Sequence, residues 1–422
     1  PIYLLIDEYD NFTNTILSTY GTEYYQKATH GEGFVRGFFN VIKAATTGTG
    51  SALQRMFITG VSPVTMDDVT SGFNIGTNIT TDPWFNDLVG FSEAELREML
   101  TYYKEQGVLM QTVDETIVMM KPNYDNYCFS EEKLAQCMFN SDMALYFMKS
   151  FVLHHVKPKE IVDPNIRTDF NKLAYLIRLD HGLGENFSVI KEIAEQGEIT
   201  TDIATHFSAL EMTDVRNFKS LLFYFGLLSI KGVDMVGRPI LHVPNLVVRE
   251  QLFSFLIRGY IKHDIFKIDM NRMTMLFENM AFRGDWKPLF NFIAEAIREQ
   301  SRIREYIEGE AHIKGFLLAY LGMYRYYQLY PEYELNKGFA DFLFKPSPSV
   351  PVMPPLTYLL EVKYAKAGTS EKEIRALADE AREQLLRYSQ DELVAEAKAK
   401  GGLKLITIVW CSWELVLLEE VL

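Results

Sequence analysis

The chain contains 422 residues, of which 42 are Lys or Arg and 56 are Asp or Glu, so its formal net charge is −14. A hydrophobic fraction of 48% beside a charged fraction of 23% excludes wholesale disorder, and the length predicts two or three domains. The longest apolar stretch, residues 221–229, is shorter than the about 20 residues needed to cross a bilayer, so we expect no membrane partner. The acidic balance argues against broad electrostatic attraction to nucleic acid.

The three cysteines and the first residues bear on location and completeness. Cys128, Cys137 and Cys411 have neither metal-ligand spacing nor the density of a disulfide scaffold, which predicts a reducing, cytoplasmic compartment. The chain begins at Pro1, directly before an apolar run, so we expect a fragment of a longer protein. A homo-oligomer is possible.

The first part of the chain has an α/β pattern. The apolar run at residues 2–6 predicts a strand buried on both faces of a parallel sheet. Helical periodicity at 33–45 and a second apolar run at 55–61 complete a strand, helix, strand alternation.

The middle of the chain is predicted to be mainly helical. Ser92, with Glu95 three residues later, has the pattern of a helix N-cap, and helical periodicity continues to about residue 225. A short strand at 239–243 is followed by helices at 250–260 and 286–328, the last ending near residue 330.

The pattern then changes to a small mixed sheet. Strands are predicted at 338–344 and 357–363, a helix at 370–388, and strands at 403–411 and 414–418. A Pro-rich insertion at 345–355 separates the first two strands and is either a loop that contacts substrate or tolerated surface.

Two carboxylates follow the first predicted strand. Asp7 and Glu8 would lie at the carboxyl end of a sheet strand, where open α/β sheets bind ligands. In phosphoryl chemistry one carboxylate holds Mg²⁺ and its neighbour orients the attacking water. The alternative is a strand that ends in a solvated acidic turn. Thr59, at the end of the next strand, is either a ligand-sensing hydroxyl or one that bonds to backbone.

A second acidic group lies near the C-terminus. Asp341 ends the string GFAD, and Glu361 and Lys363 lie two residues apart on the next strand, so they face the same side of the sheet. The carboxylates would supply oxygen ligands to Mg²⁺ or Mn²⁺, and the ammonium would position a water or stabilise charge on a phosphate. The alternative is an exposed cross-strand ion pair.

Helical residues could complete this second group. Glu310 begins a helix whose apolar stripe faces the core. Gln384 and Tyr388 lie one turn apart on the later helix, from which their amide and phenol could reach the metal face.

Both groups occur in strings that resemble known families. LLIDEYDNF, FITGVSPVTMDDVTSGFN and LVGFSEAEL resemble the AAA-ATPase-like domain found upstream of nuclease domains in many bacterial proteins. This resemblance implies that Asp7 and Glu8 form the Walker B pair and that Thr59 is a sensor residue. The order of helix Glu, strand Asp, Glu-x-Lys and Gln-x-x-x-Tyr over about residues 300–422 resembles the PD-(D/E)XK nuclease superfamily.

The resemblance implies a fold class of α/β plus α. We expect part of a P-loop-type parallel sheet at 1–90, a helical region at 91–290 and a restriction-endonuclease-like α/β domain at 291–422. It also implies an Mg²⁺- or Mn²⁺-dependent nuclease that cleaves DNA or RNA, with DNA the favoured substrate. Here Asp341 and Glu361 would bind the metal and Lys363 would activate water, with support from Glu310 and Gln384. The competing class is a nucleic-acid-binding or regulatory protein that does not cleave.

The sequence predicts that this chain does not bind ATP with micromolar affinity. No G-x-x-x-x-G-K-[ST] occurs among the 422 residues, so the backbone N–H groups and the Lys that hold the phosphates of ATP are missing, and ATP would bind only with an upstream segment. Isothermal titration of Mg-ATP into the chain should give no heat of binding. A micromolar dissociation constant would contradict the prediction.

Overall fold

A computed structural model gives two compact units. The first comprises Pro1–Ile117, Tyr124–Val189 and Glu198–Asn245, and the second comprises Val118–Asn123, Ile190–Gly197 and Leu246–Leu422. Within those units the structure describes residues 2–46, 50–61, 63–64, 68, 76–154, 158, 185–212, 214–263, 265–300, 307, 309–335, 338–347, 350 and 352–421. In these ranges no helix is both long enough and apolar enough to cross a membrane.

The described helices and strands up to residue 242 alternate in short elements. The helices are α1 (Asn11–Tyr20), α2 (Thr22–Thr29), α3 (Phe34–Thr46), α4 (Glu93–Glu105), α5 (Val113–Tyr124), α6 (Ser141–His154), α7 (Glu185–Gln196) and α8 (Val215–Tyr224). The strands are β1 (Ile2–Ile6), β2 (Leu53–Ile58), β3 (Glu198–Thr200), β4 (Ser229–Val233) and β5 (Pro239–His242).

The strands β1 and β2 form a parallel pair, in which Ile6 lies opposite Ile58. One face packs on α3 through a cluster that contains Phe39 and Ile42. The expectation that β1 is buried on both faces is wrong for the described part of the chain, since Leu5 is 77% exposed. Leu5 points away from the face that α3 covers, because successive side chains of a strand alternate in direction.

The predicted helical middle contains a small sheet as well. Ser92 caps α4 as expected, and its side chain and that of Glu95 form a reciprocal capping box. The strands β3, β5 and β4 form an antiparallel sheet in that order, of which the sequence pattern predicted β5.

The second unit places helices around one five-stranded sheet. Its helices from residue 246 onward are α9 (Leu246–Lys262), α10 (Met270–Arg283), α11 (Lys287–Glu299), α12 (Glu310–Leu321), α13 (Glu371–Tyr388) and α14 (Glu392–Ala399). Its strands are β6 (Tyr327–Leu335), β7 (Gly338–Pro346), β8 (Thr357–Ala365), β9 (Leu403–Cys411) and β10 (Glu414–Glu420).

The sheet order is β10-β9-β8-β7-β6, with β8 and β9 parallel and the other pairs antiparallel. The segment between β8 and β9 contains α13, as a parallel connection requires. The helix packs on the sheet through a core cluster that includes Leu385, Leu359 and Leu405. This packing fixes the face of β7, β8 and β9 on which Asp341 and Glu361 lie.

One sequence prediction in this unit is wrong. The helix expected to continue to residue 330 ends at Leu321, and β6 begins at Tyr327. Pro331 made this segment a poor strand candidate, because Pro cannot donate a ladder hydrogen bond. The strand tolerates Pro331 because β6 is at the edge of the sheet. The domain boundaries at residues 90 and 290 stay a prediction.

Candidate active site

Asp341 on β7 and Glu361 on β8 lie side by side. The antiparallel register that pairs Phe342 with Leu360 sets Asp341 opposite Glu361 on the same face of the sheet. Both side chains are buried, with residue exposures of 5% and 3%. Buried carboxylates need compensating partners, so their surroundings determine what the site can bind.

The protein satisfies the carboxylate of Asp341 more fully than that of Glu361. The backbone N–H of Val362 donates a hydrogen bond of 2.6 Å to Asp341 Oδ2. Lys363 Nζ donates one of 3.3 Å to Glu361 Oε1. The second oxygen of Glu361, Oε2, is buried and has no hydrogen-bond partner in the described part of the chain. A buried anionic oxygen without a donor is a position that a cation would stabilise.

Two further buried oxygens near this face have no partner among the described residues. They are Oε1 of Gln384 on α13 and Oγ1 of Thr407 on β9, which is the register partner of Glu361 across the parallel pair. Gln384 was predicted from the sequence, whereas Thr407 was missed because a Thr within an apolar strand is unremarkable. Oxygen atoms of carboxylate, amide and hydroxyl groups are the ligands that Mg²⁺ and Mn²⁺ prefer.

Lys314 on α12 is the second ammonium of the site, and the sequence analysis missed it. Its Nζ lies 2.8 Å from Glu310 Oε1, and it forms a close ion pair with Asp341 Oδ1. It also lies 3.0 Å from Oε1 of Glu332 on β6. The spacing of four between Glu310 and Lys314 was the available signal, but it is common on exposed helices. Glu310 itself is half-exposed and reaches the acidic pair through this lysine.

Lys363 connects the sheet to α13. Its Nζ lies 3.4 Å from Oε1 of Glu380, which the sequence analysis also missed although it lies one turn before Gln384. Burial lowers the pKa of Lys363, but the charges of Glu361 and Glu380 outweigh burial and raise it above its usual value. Lys363 is therefore protonated at neutral pH and acts as a cation.

Burial and nearby negative charge raise the pKa of both carboxyl groups. Burial raises the pKa of Asp341, and Lys314 opposes part of that shift. Burial and then the charge of Asp341 raise the pKa of Glu361 to about 7, against the opposing effect of Lys363. The pKa of Lys314 is raised because the charges of Asp341 and Glu310 outweigh its burial. The pair thus has an excess of negative charge that further positive charge would relieve.

Tyr388 occupies a different setting. It is 2% exposed and packs in the core cluster beneath the sheet, and a side chain on Gly338 would come within 2.7 Å of its hydroxyl. Packing is the role that the structure describes for Tyr388, and a catalytic role stays a prediction.

The residues present fit a divalent ion. Asp341 and Glu361 supply two adjacent hard ligands, and Oε2 of Glu361 accepts no hydrogen bond from the described residues. No group of three or more His, Cys, Asp or Glu side chains in the described ranges is arranged to hold a metal. The remaining ligands would therefore be neutral oxygens.

The N-terminal acidic group lies at the carboxyl ends of β1 and β2. The hydroxyl of Thr59 donates a short hydrogen bond to Asp7 Oδ1, and the amide of Asn11 donates one of 2.8 Å to Glu8 Oε2. Asp7 and Glu8 are exposed, and Glu8 has a positive φ of 49°. Asp10 was missed, although it is fully buried and accepts a hydrogen bond from the N–H of Val61.

Comparison with known families gives two matches. Residues 308–420 match the PD-(D/E)XK nuclease superfamily, and residues 1–70 match a family described as a predicted AAA-ATPase. The chain carries an AAA-ATPase-like region and a PD-(D/E)XK nuclease superfamily domain. This arrangement confirms the family prediction made from the sequence. No curated protein and no solved structure matched the chain.

The nuclease-like domain should lose stability with rising pH when no metal is added. The pKa of Glu361 is raised to about 7, so its protonated form is favoured in the folded state. Its contribution is fully present below the usual pKa of a Glu and is lost as pH rises through about 7. In EDTA, the unfolding temperature of the parent should therefore fall relative to that of Glu361→Gln between pH 5 and pH 8. A constant difference between the two would contradict the assignment.

Proposed function

We propose that this chain is a metal-dependent nuclease that hydrolyses phosphodiester bonds, with DNA a better substrate than RNA. The observation that carries the proposal is the adjacent burial of Asp341 and Glu361 beside the ammonium of Lys363. An exposed cross-strand ion pair, the alternative interpretation of these residues, would not keep two carboxylates buried next to each other.

Asp341 and Glu361 would hold Mg²⁺ or Mn²⁺. A bound divalent ion would lower the pKa of a bound water and would stabilise negative charge on a phosphate oxygen. Gln384 and Thr407 would support the metal at the same face. Each has a buried oxygen with no hydrogen-bond partner in the described part of the chain. Glu310 would act on the metal site indirectly, because its ion pair with Lys314 holds that lysine next to Asp341.

Lys363 would orient the nucleophilic water and stabilise the negative charge that develops on the phosphate. Its raised pKa keeps it protonated, so it does not take up the proton of the water. Its ion pairs with Glu361 and Glu380 fix the ammonium between the sheet and α13. A fixed cation at this position requires little reorganisation during the reaction, which is the main source of electrostatic catalysis. Tyr388 also lies on α13, and its phenol hydroxyl would assist catalysis.

The N-terminal group would serve nucleotide chemistry. Asp7 and Glu8 are proposed as the Walker B pair and Thr59 as the sensor, with support from the hydrogen bond that joins Thr59 to Asp7. ATP would bind there only together with an upstream phosphate-binding segment.

A protein that binds nucleic acid without cleaving it is the second candidate. The ion pair between Lys314 and Asp341 favours it, because it already neutralises one proposed metal ligand. The intact Asp341, Glu361 and Lys363 set favours cleavage.

Two substitutions separate metal binding from chemistry. Lys363→Ala should leave Mn²⁺ binding largely intact and reduce cleavage about a hundred- to a thousandfold, since removal of one well-placed electrostatic group typically costs ~2.7 to 4 kcal/mol of barrier. Asp341→Ala should lose both Mn²⁺ binding and cleavage. The measurements are calorimetric titration with Mn²⁺ and cleavage of plasmid, single-stranded DNA and RNA.

The matched control is Lys404→Ala, which removes a lysine of β9 that pairs with Glu420 instead of with the acidic pair. It should cleave like the parent. Equal cleavage by the parent, Lys363→Ala and Asp341→Ala would assign the activity to another site or a contaminant. If the parent cleaves none of the substrates but binds them, the second candidate is favoured.

A further inference from the structure

Lys314 forms ion pairs with carboxylates from three elements of the nuclease-like domain. Its ammonium contacts Glu310 on its own helix, Glu332 on β6 and Asp341 on β7. The side chain is 19% exposed, so solvent screens these ion pairs less than it screens surface pairs. An ammonium with three carboxylate partners and so little exposure is held firmly in place.

Glu332, which forms one of these ion pairs with Lys314, has a strained backbone conformation. Glu332 has a φ of 44°, in the left-handed region that non-Gly residues rarely adopt. It falls between the register pairs Pro331 with Phe342 and Tyr333 with Ala340, so it lies opposite Asp341 across the edge of the sheet. Such strain persists where the surroundings enforce it. Here it accompanies an ion pair with Lys314 at the acidic site.

The charges of the two buried carboxylates are balanced by two lysines. Lys314 pairs with Asp341, and Lys363 pairs with Glu361. A divalent ion that uses both carboxylates therefore binds beside two ammonium groups that already pair with its ligands. Positive charge beside a cation site lowers its affinity, strongly so where burial reduces the effective dielectric constant.

We propose that Lys314 is a built-in counter-cation of Asp341, which stabilises the acidic site without metal and competes with the divalent ion for this carboxylate. The inference rests on the proposed metal site of Asp341 and Glu361. It assigns to Lys314 a role different from that of Lys363: Lys314 sets the affinity for the ion, whereas Lys363 serves the substrate.

The test is Lys314→Gln in the full chain, titrated calorimetrically with MnCl₂. The expected result is tighter binding of Mn²⁺, by about tenfold or more, because repulsion by a neighbouring unit charge is removed. In EDTA the unfolding temperature of the variant should fall, since Asp341 loses its partner, and the rise on addition of Mn²⁺ should exceed that of the parent. Lys314→Met, which keeps the length of the stem, is measured in parallel and purified with Mn²⁺ in case Lys314→Gln does not fold.

Two controls isolate the effect of this charge. Lys314→Arg keeps the positive charge and should bind Mn²⁺ like the parent. Lys404→Gln removes the lysine of β9 that pairs with Glu420, so it should not change Mn²⁺ affinity.

The outcomes separate the inference from the proposed function. If neither the parent nor the two neutral variants bind Mn²⁺, the proposed metal site fails. If the parent binds Mn²⁺ and both neutral variants bind it equally or more weakly, the counter-cation role is overturned while the metal site stands. A tenfold gain that also occurs in Lys404→Gln would show a general field effect and would likewise overturn the specific role of Lys314.

Discussion

The burial of two carboxylates side by side is the constraint on which the C-terminal site depends. Asp341 and Glu361 lie opposite each other on adjacent strands and have almost no contact with solvent. Two like charges in such a setting are costly unless cations or donors compensate them. The domain provides the N–H of Val362 and the ammonium groups of Lys314 and Lys363 from two elements, α12 and β8. The positions of these elements therefore follow from the electrostatic needs of the acidic pair.

The shape of the sheet determines how well the charges of Asp341 and Glu361 are compensated. α13 packs on the sheet through Leu385 and brings Glu380 next to Lys363. At the opposite end of the site, the edge strand β6 adopts a left-handed residue at Glu332, next to Pro331. An edge strand can tolerate both features because only one of its sides pairs with a neighbour. The site thus combines a rigid central sheet with a locally strained edge.

Spacing along the chain predicted part of this site, but contacts between distant segments were missed. Period two placed Glu361 and Lys363 on one face, and the structure joins them by a hydrogen bond. Lys314 was missed because a spacing of four from an acid on a helix usually marks an exposed pair. Glu332 was missed because its positive φ has no sequence signal in a residue other than Gly or Asn. Contacts between distant segments and local strain are both invisible to periodicity.

The two acidic groups of the chain have similar sequence patterns and different physics. Asp7 and Glu8 follow a strand but remain exposed, so water solvates their charge and single hydrogen bonds from Thr59 and Asn11 suffice to orient them. Their electrostatic environment would be set mainly by whatever binds beside them. The electrostatic environment of Glu361, by contrast, is determined by the protein itself. Burial and a neighbouring carboxylate raise the pKa of Glu361 before any ligand binds. The C-terminal pair is therefore preorganised to attract positive charge, and the lysines that compensate it determine how strongly.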